Sequence, residues 1–209
     1  MVIVNVGPNT PEQNEEFRQL YADYLQLGQK AVKLLRSGAN FNIFQIKKKG
    51  AVVPTADYHR LTNADIVSIN HAVSRFLGGN PASKGNQNPL SEFTLRAIKE
   101  APTMTQKAAK IWYALSSSQP FGEANDATAL LTSLLFLRIN GYDFSRLKPA
   151  ELVTMAQDLA LGQAGQNEAQ HYLFFHLKLT ERERPKSVKA AFSELAANES
   201  IYGALQLLS

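Results

Sequence analysis

Apolar residues follow two kinds of pattern along this chain. In most segments they recur every three or four positions, as on a helix that buries one stripe. Between residues 129 and 139 they crowd every side: Leu130, Leu131, Leu134, Leu135, Phe136, Leu137 and Ile139 leave no solvent face. This stretch predicts a central, buried helix that Gly141 brings to an end. With Thr128, Thr132, Ser133 and Arg138 in or beside it, it is too short and too polar for a membrane span, which needs about 20 mostly apolar residues.

Caps and stripes predict the flanking elements. Residues 2–6 suit a short edge strand, and Thr10, Pro11 and Gln13 suit a helix start with a Thr N-cap and Pro at the first helical position. Phe17, Leu20, Tyr21, Tyr24, Leu27, Ala31, Leu34 and Leu35 carry that helix to near Gly38. Residues 41–54, FNIFQIKKKGAVVP, suggest a small hairpin with a solvated lysine-rich tip. Thr62 to Asp65 cap a helix with Ile66, Ile69, Val73, Phe76 and Leu77 on one face, stopped by Gly78 and Gly79. Residues 80–89 read as a loop. A short helix over 91–99 carries Phe93, Leu95 and Ile98 and is broken by Pro102. Thr103 or Thr105 opens the next, with Met104, Ala108, Ile111, Trp112 and Leu115 up to a loop at Ser116, Ser117 and Ser118. Pro149 starts a helix carrying Leu152, Val153, Ala156, Leu159 and Ala160; residues 167–179 are aromatic-rich, and 187–195 and 200–208 form terminal helices. The expected fold is all-α, a helical array around the central buried helix. An N-terminal extension at 1–60 with a small β-hairpin, a core at 61–180 and C-terminal helices at 181–209 complete it.

Composition narrows the chemistry. A chain of 209 residues with 44% hydrophobic content can bury a sizeable core without a covalent staple. The absence of cysteine excludes disulfides, thiolate nucleophiles and cysteine-ligated metals. The first residues lack a basic region followed by a long apolar run, so no signal peptide is expected and the cytoplasm is the expected compartment. Net charge is +4, yet only Lys47, Lys48 and Lys49 form a run, so nucleic acid is not an expected partner, nor is a membrane. His171 and His176 stand five apart, at separated angles on a helix, which disfavours a shared metal. His59 lies near Asp57, and His71 sits on the opening helix of the core.

Three blocks, in order, resemble the Fic/Doc family, and its death-on-curing branch more than the long Fic proteins. LTNADIVSINHAVSRFLGG at 61–79 resembles that branch's first core helix. QPFGEANDATA at 119–129, with the apolar helix ending FLRING, resembles the signature His-x-Phe-x-Asp-Ala-Asn-Lys-Arg-Thr-Ala and the helix after it. ELVTMAQDLALGQAGQNEAQHYLFFHL at 151–177 resembles the closing helices. The resemblance implies transfer of a nucleotidyl or phosphoryl group from a nucleotide to a protein hydroxyl, with magnesium and ATP or another nucleotide as cofactors. It implies a histidine base, an acidic residue at the metal, and loop amides with the following Asn cradling phosphates. On that pattern Gln119, Asn125, Asp126 and Ala127 hold the catalytic positions, Glu123, Ala124, Asn125 and Asp126 the nucleotide-binding ones, and Glu123 the metal position. The branch also implies a toxin–antitoxin setting.

The departures fall on the chemistry. Gln119 replaces the base histidine, Asp126 the lysine and Ala127 the arginine. Glutamine orients by hydrogen bonding but takes no proton near neutral pH, a role worth about 10²–10⁴-fold. The two cation losses shift the loop toward negative charge, where a polyphosphate would sit. Phe121 as a buried anchor, Asn125 as a loop brace, and Thr128 and Ala129 as small packing residues make sense without catalysis. Two functions follow: a catalytically degenerate Fic/Doc-like protein acting through a protein partner, or a divergent transferase using Gln119 to position the acceptor and Glu123 with Asp126 to hold metal and nucleotide.

Overall fold

The computed structural model describes residues 58–79, 85–179 and 183–208. All of them lie in the unit Thr55–Ser209, one of two into which the chain divides. The strand, helix and hairpin expected within 1–54, and the first half of the loop expected at 80–89, fall outside the described residues.

The described chain is mainly helical. It runs α1 (Asn63–Phe76), α2 (Glu92–Glu100), α3 (Met104–Ser118), α4 (Asn125–Ile139), β1 (Tyr142–Phe144), α5 (Pro149–Ala160), α6 (Gln166–His176), β2 (Leu177–Leu179), α7 (Val188–Ala196) and α8 (Glu199–Leu207). Every residue of α4 from Ala127 to Ile139 is buried. It achieves this by packing against α3, α1, α7, α5 and β1. Each fully buried leucine contributes about 1.5–3 kcal/mol. Several polar groups on α4 find partners in neighbouring elements, while Thr132 Oγ1 and Arg138 Nη1 are buried without one. Ser133 Oγ donates to the Ala108 carbonyl at 3.1 Å, Thr128 Oγ1 accepts from Asn70 at 3.0 Å, and Arg138 pairs with Glu194 of α7 at 2.6 Å. Among the described residues no helix is long and apolar enough to cross a membrane.

The helix starts follow their cap chemistry. Thr62 and Asp65 form a reciprocal capping box on α1, Ser91 caps α2, Thr103 with Gln106 forms a second box on α3, and Pro149 sits in the first turn of α5. The structure departs from the sequence pattern in two places. Ser116, Ser117 and Ser118 form the last turn of α3 instead of a loop, because Leu115 and Ser116 are buried and Gln119 closes the helix. Phe93 is 82% exposed. At about 100° per residue it lies roughly 140° around α2 from the buried Ile98, whereas Leu95 lies only about 60° away. The described sheet is two-stranded and antiparallel, pairing Tyr142 with Leu179, Asp143 with Lys178 and Phe144 with Leu177. It joins the chain after α4 to the chain after α6 through a long-range pairing.

Lys107 on α3 is fully buried. Its Nζ donates to the carbonyls of Ile98 and Lys99 at 2.9 and 2.6 Å, capping the last turn of α2, and lies 4.7 Å from the Tyr58 ring centre. Desolvation, followed by the charge of Arg60, pulls its pKa from 10.5 down to about 8. Between those values the unfolded chain binds more protons than the folded one, so this lysine makes stability rise as pH increases from about 8 to 10.5. Chemical denaturation across that range should therefore show a rise in wild type that is smaller in Lys107→Met. Leu134→Ala should cost about 2–5 kcal/mol by leaving a cavity in the core, and Phe93→Ala less than about 0.5 kcal/mol, both read from urea midpoints.

Candidate functional site

The turn between α3 and α4 holds most of the residues the signature singles out. It contains two non-glycine residues in the left-handed region, Gln119 at φ 44° and Ala124 at φ 56°. Each such conformation costs about 1–2 kcal/mol, so the surroundings must hold it. Asn125 braces the turn, with Oδ1 accepting from the Phe121 amide and Nδ2 donating to the Phe121 carbonyl, both at 2.8 Å. The Phe121 ring is buried. Gly85 lies so close that a Cβ there would meet Phe121 Cδ1 at 2.9 Å, and the Asn86 amide donates to the Pro120 carbonyl at 3.0 Å. From the other side Asn70 Nδ2 donates to the Glu123 carbonyl at 3.1 Å and to Thr128 Oγ1 at 3.0 Å.

Within this frame, Gln119 and Asp126 meet. Gln119 Nε2 donates to Asp126 Oδ1 at 2.7 Å and to the Ser116 carbonyl at 2.8 Å, which commits both of its N–H groups. No side chain caps the N-terminus of α4 from the Ala124 position, and Asp126 is the acidic residue of its first turn. A carboxylate there complements the positive end of the helix dipole, by about 0.3–1 kcal/mol at an exposed site.

Glu123 has different surroundings. Its carboxylate lies against Gly79, where a Cβ would sit 2.7 Å from Oε1, so the glycine leaves the space that this side chain fills. Glu123 Oε1 is buried without a hydrogen-bond partner, and so is Ser74 Oγ. Both residues border a cavity of about 160 Å³, together with Leu77, Gly79, Ala124 and Leu208. A space of that size, bordered by two unpartnered oxygens, is large enough for ordered water.

The fold thus brings Gln119, Asn125 and Asp126 into one hydrogen-bonded turn, with Ala124 as its strained corner. Ala127 is fully buried and faces the core. Among the described residues no group of three or more His, Asp or Glu side chains is placed to hold a metal ion. His71 is half-buried on α1, while its neighbour Asn70 reaches the turn. The sequence signal for Asn70 is a polar residue at core spacing between Ile66 and Val73. His59 meets Asn140 through its backbone, its amide donating to Asn140 Oδ1 at 2.7 Å and its carbonyl accepting from Nδ2 at 3.0 Å. His171 is exposed; His176 stacks on Tyr172 with ring centres 4.3 Å apart and lies 3.8 Å from Glu151.

No protein-family model matches the chain, and comparison with curated proteins gives no significant match.

Burial of Ala127 has a measurable consequence. Ala127→Arg would force a guanidinium into a fully buried position, so it should destabilise the protein by about 3–5 kcal/mol. Thermal unfolding checks this, and a variant as stable as wild type would show that position 127 opens to solvent.

Proposed function

We propose that this chain is a Fic/Doc-like scaffold without the family's transfer reaction, acting through binding of another protein. The observation that carries the reading is the 2.7 Å bond from Gln119 Nε2 to Asp126 Oδ1. The residue at the base position is a donor spent inside the turn, on a carboxylate at the position where the signature has a lysine. An incoming polyphosphate would meet the charges of Asp126 and Glu123 at the helix start, where the family pattern supplies cations. The scaffold part of the motif is retained: Phe121 anchors, Asn125 braces, and Thr128 and Ala129 pack closely. For a partner surface, support comes from two exposed aromatic side chains, Phe93 and Tyr113, bordering one depression of about 360 Å³ between α2 and α3.

One observation favours a second reading, a divergent magnesium-dependent nucleotidyl- or phosphotransferase: Glu123 Oε1 has no partner and could serve a cation. Calorimetry with ATP, GTP and a non-hydrolysable diphosphonucleotide, with and without magnesium, separates the two. The scaffold reading expects no saturable heat up to millimolar nucleotide. Micromolar, magnesium-dependent binding that disappears in Glu123→Ala or Asp126→Ala would establish the transferase instead.

A further inference from the structure

We propose that a second cavity, remote from the α3–α4 turn, binds an anionic amphiphile, with a hydrocarbon body inside and a carboxylate head between Arg60 and Lys99. The cavity measures about 800 Å³, within the range of about 300–1,000 Å³ usual for small-molecule sites. Its apolar wall comes from four helices: Ile66 of α1, Ile98 of α2, Ile111 of α3 and Phe136 of α4. Each of these side chains is at least nine-tenths buried and backs the cavity, while the partly buried Leu95 of α2 and Tyr58 present the apolar surface that a ligand would meet first. The Tyr58 ring meets Phe136 edge-on at 5.8 Å and closes one side.

The charged lining selects the ligand. Arg60, Arg96, Lys99 and Glu100 border the cavity. Arg96 and Glu100 pair with each other at 3.0 Å. Among the described residues Arg60 and Lys99 have no acidic partner; Arg60 instead lies 5.6 Å from the Tyr58 ring centre. Beneath them Lys107 adds a third cation, its Nζ turned to the Tyr58 ring and the end of α2. An apolar lining of Leu95 and Tyr58, backed by isoleucine and phenylalanine, beside two unneutralised cations favours a ligand with an apolar body and one anionic end. A polyphosphate would leave the wall unused, and a cationic amphiphile would be repelled. A guanidinium matches a carboxylate in two parallel hydrogen bonds, which favours that head group.

The proposal does not rest on the Fic/Doc reading. Phe136 lies eleven residues along α4 from Asn125, about 16 Å from the start of the helix. The test is calorimetry on the full chain with dodecanoate, below its micelle concentration, beside dodecanol, dodecyltrimethylammonium and acetate. We expect one saturable dodecanoate site, dodecanol weaker by about tenfold or more, and no binding of the other two. Arg60→Gln and Lys99→Gln change exposed side chains and should each weaken dodecanoate about two- to fivefold. Lys189→Gln on α7 should change nothing. As a second readout, bound dodecanoate should raise the pKa of Lys107 in side-chain NMR, since an anion nearby favours the ammonium. Absence of dodecanoate binding, equal affinity for dodecanol, or full affinity in the Arg60 and Lys99 double variant would overturn the proposal.

Discussion

A helix without a solvent face must find apolar neighbours on every side, and that requirement governs this molecule. From Ala127 to Ile139 no residue of α4 reaches water. The neighbouring elements are placed by it: α1, α3, α5 and α7 each pack an apolar face against α4. Where polarity enters this core, neighbours answer part of it, as the Ala108 carbonyl does Ser133 and Glu194 does Arg138, whereas Thr132 Oγ1 is buried without a partner. An unanswered polar group of this kind costs about 1–3 kcal/mol, which the apolar burial around it offsets. Burial thus also dictates which side chains accompany the helix.

The same constraint shapes the turn before α4. Because the first helical turn is already entering the core, Ala127 is buried and only the residues preceding it can do chemistry at the surface. Those residues are mutually engaged. Asn125 holds Phe121, Asn70 holds Glu123 and Thr128, and Gln119 holds Asp126. The two left-handed corners, Gln119 and Ala124, are kept in place by this network. Its electrostatic character is acidic at a helix start that would otherwise attract anions. In the proposed scaffold role, the turn is an architectural joint.

Much of the fold is legible in the sequence because caps and three-to-four spacing are local signals. Thr62, Ser91, Thr103, Pro149 and Ser187 each open a helix where their chemistry predicts, and the all-apolar run of α4 predicts its central place. What was not legible depends on distant residues. The pairing of β1 with β2 joins three-residue strands over 30 residues apart, too short for an alternation signal. Phe93 points outward because nine residues of α2 bury only the face of Ile98, which hydrophobicity alone does not reveal. Burial of Lys107 depends on α2 ending beside it. At the site, the sequence names Gln119, Asn125 and Asp126 together, but not that Gln119 donates to Asp126, that Ala127 faces inward, or that Asn70 is the brace.

The central claim is that the start of α4 has its anion in Asp126 and therefore turns others away. It is tested most directly by following the backbone amide shifts of Asn125, Asp126 and Ala127 while pyrophosphate is titrated into wild type and Asp126→Ala. The expected result is no saturable shift in wild type and a saturable one in the variant, where the helix start has lost its carboxylate. Saturable binding to wild type that Asp126→Ala abolishes would contradict the claim.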